Sequence, residues 1–209
     1  MDATELREHS REQVQALGYP FNPNLPVLDP AGVTRSSDDV LDRILTLHAC
    51  VACGYGFPKP KALEWLEQES LSGCLTEPEA LFLAGKSEAK RTAFQWRVEA
   101  VWALTWAAGY FGDLDFSQSC SDDLVKLLPE LKTQESSKAF RQQSNLRSAE
   151  EVLPMVDLAY CLHWAVREEG LRGQANKQGK VQSQVIVERR LGLEWLICNE
   201  SWEDVPLDT

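Results

Sequence analysis

Charged side chains stand inside three segments that are otherwise apolar and have helical periodicity. They are Arg97, Glu99, Asp157, Glu188, Arg189 and Arg190. Because a buried carboxylate or guanidinium is tolerated only when it is paired, such groups collect either in structural ion-pair networks or in binding clefts. We expect the three segments to meet and the acids to pair with the arginines. A structural network is the favoured interpretation, and a functional cleft is the alternative.

Two further side chains are candidates for binding. His163 lies in the second segment beside Trp164, where an imidazole has the right pKa range for a general base near neutral pH. No Ser or Cys partner is assignable from the sequence, so a hydrogen-bonded core histidine is the favoured interpretation. Trp202 stands in a polar, acidic C-terminal segment, where it either anchors that segment or contacts a partner.

The cysteines are the remaining residues with metal or redox chemistry. Cys50 and Cys53 form a C-x-x-C pair close to His48, which offers three metal ligands or a redox pair. No second C-x-x-C completes a tetrahedral site, and no strand pattern precedes the pair as in a thioredoxin-like unit. We therefore predict that the six cysteines are reduced thiols of the core, and that the protein uses no metal and no cofactor.

The motifs of the commonest enzyme classes are missing from the chain. It has no serine nucleophile elbow, no phosphate-binding glycine loop, no H-E-x-x-H and no EF-hand loop. Each of these motifs places a nucleophile, a phosphate or a metal at a fixed spacing. Without one of them no catalytic residue is assigned, and the sequence favours a protein that is not an enzyme.

The charge balance narrows the classes of partner. The 21 lysines and arginines oppose 32 aspartates and glutamates, which gives a net charge of −11 and a pI near 4.8. This negative potential repels nucleic acid and anionic lipid. It would attract a basic protein, but an acidic balance that only serves solubility is the favoured interpretation. The apolar stretch at residues 98–111, which contains a single charge, is too short to cross a bilayer. The charged N-terminus lacks the pattern of a secretory signal, so we expect a cytoplasmic protein with no membrane association.

Helical signals extend over most of the chain. Apolar periodicity and capping residues predict helices near residues 3–17, 36–53, 61–69, 86–110, 121–131, 149–168 and 183–198. The segment 86–110 is apolar all round, so it belongs at the centre of a bundle, together with 149–168 and 183–198. Prolines between residues 19 and 30 predict a surface-wrapping segment, and the glycine-rich stretch 170–180 predicts a mobile surface loop.

These signals predict an all-α, single-domain helical bundle with two or three apolar central helices and a Pro-rich N-terminal segment. The expected organisation is an N-terminal helix and wrapping segment at residues 1–34, followed by a helical domain at 35–209. Capping boxes begin at Ser36, Thr76 and Ser148. The stretch around Ser148 repeats that around Ser36 over seven positions, 147–153 against 35–41, which indicates either duplication or independent capping of two helices.

Several short motifs carry a resemblance to a known family. They are Arg35-Ser36 with Val40 and Arg43, Trp96-Arg97 with Glu99-Ala100, Leu104 and Trp106, Leu146-Arg147-Ser148 with Asp157 and His163-Trp164-Ala165, Val187-Glu188-Arg189-Arg190 with Leu193 and Trp195-Leu196, and Trp202 with Asp204-Val205 and Asp208-Thr209. In these residues the chain resembles a bacterial family known as domain of unknown function 4272, from about residue 35 to its end. The cysteines are no part of the pattern. The resemblance implies a soluble, mostly helical bacterial protein and no particular activity.

Two functions remain in view from the sequence. The leading one is a non-catalytic protein-binding module, for example an immunity-type partner that neutralises a basic toxin domain. The alternative is an enzyme or small-ligand binder with a charged cleft between the central helices, in which His163 acts as the base. A solvent-reachable pocket lined by the charged helix residues favours the alternative, whereas a dry and fully paired network favours the binding protein.

Overall fold

The computed structural model describes residues 3–27, 32–87, 90–173 and 182–208, and within them the regular structure is entirely helical. The nine helices are α1 (Ala3–Ala16), α2 (Ser37–Gly54), α3 (Lys59–Gln68), α4 (Glu77–Leu83), α5 (Arg91–Ala107), α6 (Leu124–Leu127), α7 (Lys138–Gln143), α8 (Ala149–Leu171) and α9 (Ser183–Ile197). A short 3₁₀ turn at Ser72–Cys74 lies between α3 and α4, and a second at Trp202–Asp204 comes after α9. The predicted all-α fold class is therefore confirmed.

Two of the predicted segments fall partly or mostly outside the described residues. The Pro-rich segment lacks its last part, residues 28–31, and the predicted loop at 170–180 is described only as far as residue 173. No helix among the described residues combines the length and the apolar character that a bilayer span requires.

One helix is shorter than its leucine pattern predicts. The sequence indicated a helix through Leu131, but α6 ends at Leu127. The reason is Pro129, because the ring of a proline disfavours the α conformation in the residue before it. Leu128 accordingly adopts an extended backbone, with φ −99° and ψ 153°. Residues 128–135 therefore form an irregular segment instead of a helix.

Backbone contacts divide the chain into two compact units. The first unit consists of Met1–Thr34, Asp113–Ser119 and Arg147–Thr209, and so contains α1, α8 and α9. The second unit consists of Arg35–Gly112 and Cys120–Leu146, and so contains α2 to α7. The sequence-based division into residues 1–34 and 35–209 stays a prediction.

The core of the first unit is built around α8. This helix packs against both α1 and α9. Helix α1 presents Leu6 and Val14 on its buried face, while its other positions are largely charged and exposed. Most of α9 is buried, as expected for a helix without a polar face.

The core of the second unit is built around the pair α2 and α5. The two helices pack along much of their length, and α3 and α4 pack onto α2. Residues 100–107 of α5 are buried at every position except Trp102, which is half-buried. The predicted all-round burial therefore holds for the C-terminal half of this helix, whereas Arg91, Thr92 and Ala93 at its start are exposed.

All three predicted capping boxes form. The Ser36 amide donates to Asp39 Oδ2 at 3.0 Å, and the Asp39 amide donates back to Ser36 Oγ at 3.1 Å. The Thr76 amide donates to Glu79 Oε2 at 2.9 Å, and the Ser148 amide donates to Glu151 Oε2 at 3.0 Å. These bonds satisfy amide groups that have no partner within the helix, and they fix where α2, α4 and α8 begin.

We predict that Gly109→Ala destabilises the second unit strongly. Gly109 has φ +88°, and a Cβ there would overlap the carbonyl oxygen of Asn145, whose amide donates to Ala108 O at 2.9 Å. The left-handed conformation costs an L residue about 1–2 kcal/mol, and overpacking adds about 1–3 kcal/mol. Urea unfolding is the measurement.

Gly85→Ala is the matched control, because Gly85 has φ +72° and open space around it. Equal losses in the two variants would contradict the role of the Asn145 contact.

Candidate functional site

Asp157 is one of the two predicted site residues, with Arg189, that have no exposed surface. It lies on α8, and both of its carboxylate oxygens accept hydrogen bonds from Arg7 of α1. Arg7 Nη2 lies 2.7 Å from Oδ1, and Arg7 Nε lies 3.2 Å from Oδ2. The remaining donors of Arg7 reach the carbonyl oxygens of Leu25 at 3.0 Å and Pro26 at 2.7 Å. The arginine therefore ties the segment after α1 to the core of the first unit.

Arg190 is the centre of a second cluster in the same unit. Its Nε donates to Glu194 Oε1 at 3.1 Å, and its Nη1 donates to His163 Nδ1 at 2.6 Å. Further hydrogen bonds reach the carbonyl oxygens of Leu207 at 3.2 Å and Asp208 at 3.1 Å. A guanidinium with several acceptors in its plane is held in one orientation. Arg190 thereby joins α9, α8 and the C-terminal segment.

The ring of Tyr160 lies between the two arginine clusters. The guanidinium carbon of Arg190 is 4.7 Å from the ring centroid, and that of Arg7 is 5.9 Å from it. Cation–π attraction at these distances adds to the ion pairs. Asp157 and Arg190 of the predicted charged group, together with the separate candidate His163, thus lie in neighbouring clusters of the first unit.

The environment of His163 does not suit a general base. Burial and the neighbouring Arg190 charge lower the pKa of His163 to about 4. Because Arg190 donates to Nδ1, that nitrogen is unprotonated and its lone pair is occupied. A general base works best with a pKa near the working pH and a free lone pair. The geometry therefore favours the hydrogen-bonded core histidine.

Glu194 is the acidic partner that the sequence analysis did not identify. Burial raises the pKa of Glu194, while Arg190 acts in the opposite direction. Burial also lowers the pKa of Arg190 itself. Both shifts reflect the cost of removing charge from water, which the mutual contact offsets. Glu194 stands in an apolar stretch of α9, so the criterion that singled out Glu188 applied to it as well and could have identified it.

Arg189 and Glu188 occupy other faces of α9. Arg189 is fully buried and donates to the carbonyl oxygens of Asp115 at 2.6 Å and Gln118 at 2.8 Å. Its guanidinium also lies 5.6 Å from the ring centroid of Phe116. Glu188 is buried and accepts a hydrogen bond from Gln184 Nε2 at 3.0 Å. Arg189 thus holds the irregular segment 113–119 in place.

Arg97 and Glu99 lie on α5 in the second unit. Glu99 is buried and accepts a hydrogen bond from the Cys120 amide at 2.9 Å, while Arg97 is half-buried. A separate buried ion pair, absent from the predicted site, joins Arg43 to both oxygens of Glu79 at 2.6 and 2.7 Å. The units therefore each contain their own buried charges.

Trp202 anchors the C-terminal segment. Only 4% of its surface is exposed, and its ring meets that of Trp195 edge-on, with centroids 5.7 Å apart and planes at 71°. Burial of a large aromatic ring beside a second one stabilises the segment that carries it. Of the two roles considered for Trp202, its position favours the anchor.

The cysteine pair is part of the core of the second unit. Cys50 and Cys53 are buried on α2, and all six cysteines are free thiols. Burial raises the pKa of the Cys50 thiol and raises that of Cys53 to about 11. Among the described residues no three His, Cys, Asp or Glu side chains are grouped so as to hold a metal ion. A thiol with a raised pKa is a poor nucleophile and a poor metal ligand.

A groove that the sequence analysis missed opens on the second unit. Its volume is about 970 Å³. It is lined by the end of α2, the turn after it, the start of α3 and the irregular segment after α6, namely by His48, Ala52, Tyr55, Gly56, Phe57, Pro58, Lys61, Val125, Lys126, Leu128, Pro129, Glu130, Leu131, Lys132 and Glu135. His48 Nε2 donates to the Pro129 carbonyl at 3.0 Å, and burial lowers the pKa of His48 to about 4. The only features of the sequence that could have indicated this groove are apolar residues outside the helical pattern, such as Tyr55.

The comparisons with known proteins give the family. The family model described as Domain of unknown function (DUF4272) matches residues 6–205 of the 209-residue chain, so the chain belongs to this family. The match begins well before residue 35, and therefore includes α1 with Arg7. No curated protein and no solved structure matches the chain.

Proposed function

We propose that this member of the DUF4272 family is a non-catalytic protein-binding module of the bacterial cytoplasm. Its partner is a basic protein, which it engages through the acidic surface of its first unit. An immunity-type role, in which the module neutralises a basic toxin domain, is the concrete form of this proposal. Such a role needs a charged and stable surface and no catalytic residue.

The uneven division of charge between the two units carries the proposal. The first unit has 9 lysines and arginines against 18 aspartates and glutamates, a net charge of −9. The second unit has 12 against 14, a net charge of −2. Negative charge collected on one part of a protein steers basic partners to that part, and raises the association rate at low salt.

Most of the described acidic groups of the first unit reach solvent. Its described residues include three exposed arginines, at positions 11, 167 and 172, whereas Arg7, Arg189 and Arg190 are buried. Eleven of its carboxylates are exposed, namely those of Glu5, Glu8, Glu12, Asp113, Asp115, Glu150, Glu151, Glu200, Glu203, Asp204 and Asp208. Four carboxylates of this unit, Asp157, Glu169, Glu188 and Glu194, are buried as well, so burial removes similar amounts of both charges and the surface keeps the acidic balance of the whole unit.

The alternative of a charged catalytic or ligand-binding cleft has less support. The clusters around Arg190 and Asp157 are buried, with donors and acceptors matched, and His163 lacks the properties of a base. The groove of the second unit is lined by a different set of residues. Buried and matched groups of this kind are typical of structural networks.

The test is an affinity capture from the native host with the wild type and two charge-reversed variants. Glu8→Lys with Glu12→Lys changes the exposed face of α1, and Glu64→Lys with Glu67→Lys makes the same charge change on α3 of the second unit. We expect one basic protein at stoichiometric amount, with a Kd raised at least about tenfold by the α1 variant and little by the α3 variant. The Kd is measured by surface plasmon resonance over a range of salt concentrations.

Two outcomes would overturn the proposal. One is that no basic protein is captured at stoichiometric amount. The other is that a captured protein binds both variants equally well and without salt dependence, because a contact between charged surfaces must weaken as ions screen it. Circular dichroism of both variants shows that each remains folded. The Glu8 to Arg11 contact that the α1 variant removes is an exposed pair of little energetic weight.

A further inference from the structure

The groove of the second unit leaves large apolar side chains open to water. Tyr55 is 65% exposed and Val125 is 70% exposed, and both line the groove. Phe57, Leu128 and Leu131 extend the apolar lining. Exposed apolar side chains gathered along one concavity are a mark of binding sites, whereas single exposed ones need no explanation.

Positive charge borders this apolar lining. Lys61, Lys126 and Lys132 all line the groove. Lys126 pairs with Asp123 at 2.5 Å, but within the part of the chain that the structure describes neither Lys61 nor Lys132 is in an ion pair. The lining also holds two glutamates, of which Glu135 accepts a hydrogen bond from the Glu130 amide at 2.8 Å. Two lysines are thus left to receive negative charge from a partner.

The start of α3 adds to this potential. The helix begins after Pro58, whose side chain makes no capping hydrogen bond, and both Pro58 and Lys61 line the groove. The N-terminal end of a helix carries partial positive charge that favours a nearby carboxylate. Its effect adds to that of the two lysines.

We propose that the groove binds a short peptide segment of a partner protein, in which apolar side chains alternate with or adjoin aspartate or glutamate. The apolar side chains cover Tyr55 and Val125, and the carboxylates meet Lys61 and Lys132. An amphipathic aromatic ring that is already exposed gives large contact area at small entropic cost. At about 970 Å³ the groove is at the upper limit of small-molecule sites, and it is open to solvent where such sites enclose their ligand.

This inference is independent of the proposed function. It concerns the second unit and an acidic segment, whereas the proposed function concerns the first unit and a basic protein. Either one stands if the other fails.

The experiment is a selection of random dodecapeptides displayed on phage against the full chain. Enriched peptides are synthesised with a fluorescein label, and their Kd values are measured by fluorescence anisotropy. Lys61→Glu with Lys132→Glu is the test variant, and Lys86→Glu with Lys90→Glu is the matched control on exposed lysines of the same unit outside the groove. Tyr55→Ser tests the apolar part.

We expect enriched peptides to combine apolar with acidic residues. Their Kd should rise at least about tenfold in the test variant and in Tyr55→Ser, and change less than about twofold in the control variant. Enrichment of basic peptides alone, or equal weakening in both lysine variants, would overturn the proposal. Decanoate, a fatty acid with one carboxylate, tests for a small-molecule site: if it binds, is lost in the test variant and displaces no peptide, the proposal is wrong. Sedimentation tests for self-association: if the chain forms a dimer that the groove variants dissociate, the occupant is a second copy and the proposal is also wrong.

Discussion

Replacing Arg190 by methionine is expected to lower the free energy of unfolding by about 3–5 kcal/mol, because it leaves a buried charge without its partner. The guanidinium donates to Glu194, His163, Leu207 and Asp208, so its loss removes four contacts at once. Methionine fills much of the same volume, and the loss therefore measures the polar contacts rather than a cavity. Urea unfolding followed by tryptophan fluorescence and by circular dichroism gives the value.

Two further variants show whether the loss of stability comes from the buried contacts of Arg190 or simply from removing a positive charge. Arg172→Met removes an arginine of the same unit that pairs with Glu168 at the surface, where its side chain is 60% exposed, so we expect a loss below about 1 kcal/mol. Arg190→Lys keeps the charge but not the planar set of donors, and we expect an intermediate loss. A loss in Arg190→Met no greater than that in Arg172→Met would show that the buried cluster does not hold the C-terminal segment.

The buried arginines of the first unit share one role. Arg7 holds the carbonyl oxygens at 25–26, Arg189 those at 115 and 118, and Arg190 those at 207–208. These stretches lie outside regular helices, so their carbonyl groups have no helical partners. A guanidinium has five donors, which is enough to pair with a carboxylate or imidazole and still satisfy such carbonyls. The arginines therefore attach irregular segments to the helices, which explains their burial without a cleft.

Local signals in the sequence predicted most of the helices and, at the three capping boxes, the residues where they begin. Serine at positions 36 and 148 caps its helix through a residue three positions away, and that contact is visible in the sequence. The partners of the charged residues were not visible in the same way. Arg7 and Asp157 are 150 positions apart, and Arg7 sits among other charges on an ordinary amphipathic helix. Only tertiary packing selects it as the buried one.

The groove depends on the early end of α6, which apolar periodicity alone does not predict. Leucines at 124, 127, 128 and 131 have helical spacing, but Pro129 ends α6 and turns the chain into an irregular segment. That segment lines the groove opposite the turn at residues 55–58. A pattern that counts apolar residues without weighing the residue before proline therefore predicts a helix where the protein has the irregular wall of a groove.

The repeated capping motif extends into the packing of each unit. Helix α2 begins at the first copy and packs on α5, and α8 begins at the second copy and packs on α9. A second match follows, because Glu99, Leu104 and Trp106 on α5 have the same spacing as Glu188, Leu193 and Trp195 on α9. All six side chains are buried. This correspondence supports duplication over independent capping, and duplication stays a prediction.

Acid is expected to destabilise the protein well above the pH at which most carboxylates protonate. The pKa of His163 and that of His48 are both lowered to about 4, by burial in each case and by Arg190 at His163. In the unfolded chain a histidine binds its proton near pH 6.5. The stabilising effect of the neutral imidazoles is therefore complete above about pH 6.5 and is lost as the pH falls toward 4. Each histidine should remove about 2 kcal/mol between about pH 7 and pH 5.

Buried glutamates act in the opposite direction, so single variants are needed to assign the effect. Burial raises the pKa of Glu194 and of Glu169, and protonation of these groups favours the folded state as the pH falls. His163→Asn keeps an acceptor near the position of Nδ1, and His48→Gln keeps a donor near that of Nε2, but neither titrates. Each variant should show a drop between about pH 7 and pH 5 that is about 2 kcal/mol smaller than in the wild type. The difference between two pH values is unaffected by a constant loss of stability in the variant. An undiminished drop in His163→Asn would mean that this imidazole binds its proton in the folded protein as readily as in the unfolded chain, so that burial and Arg190 do not disfavour its charged form.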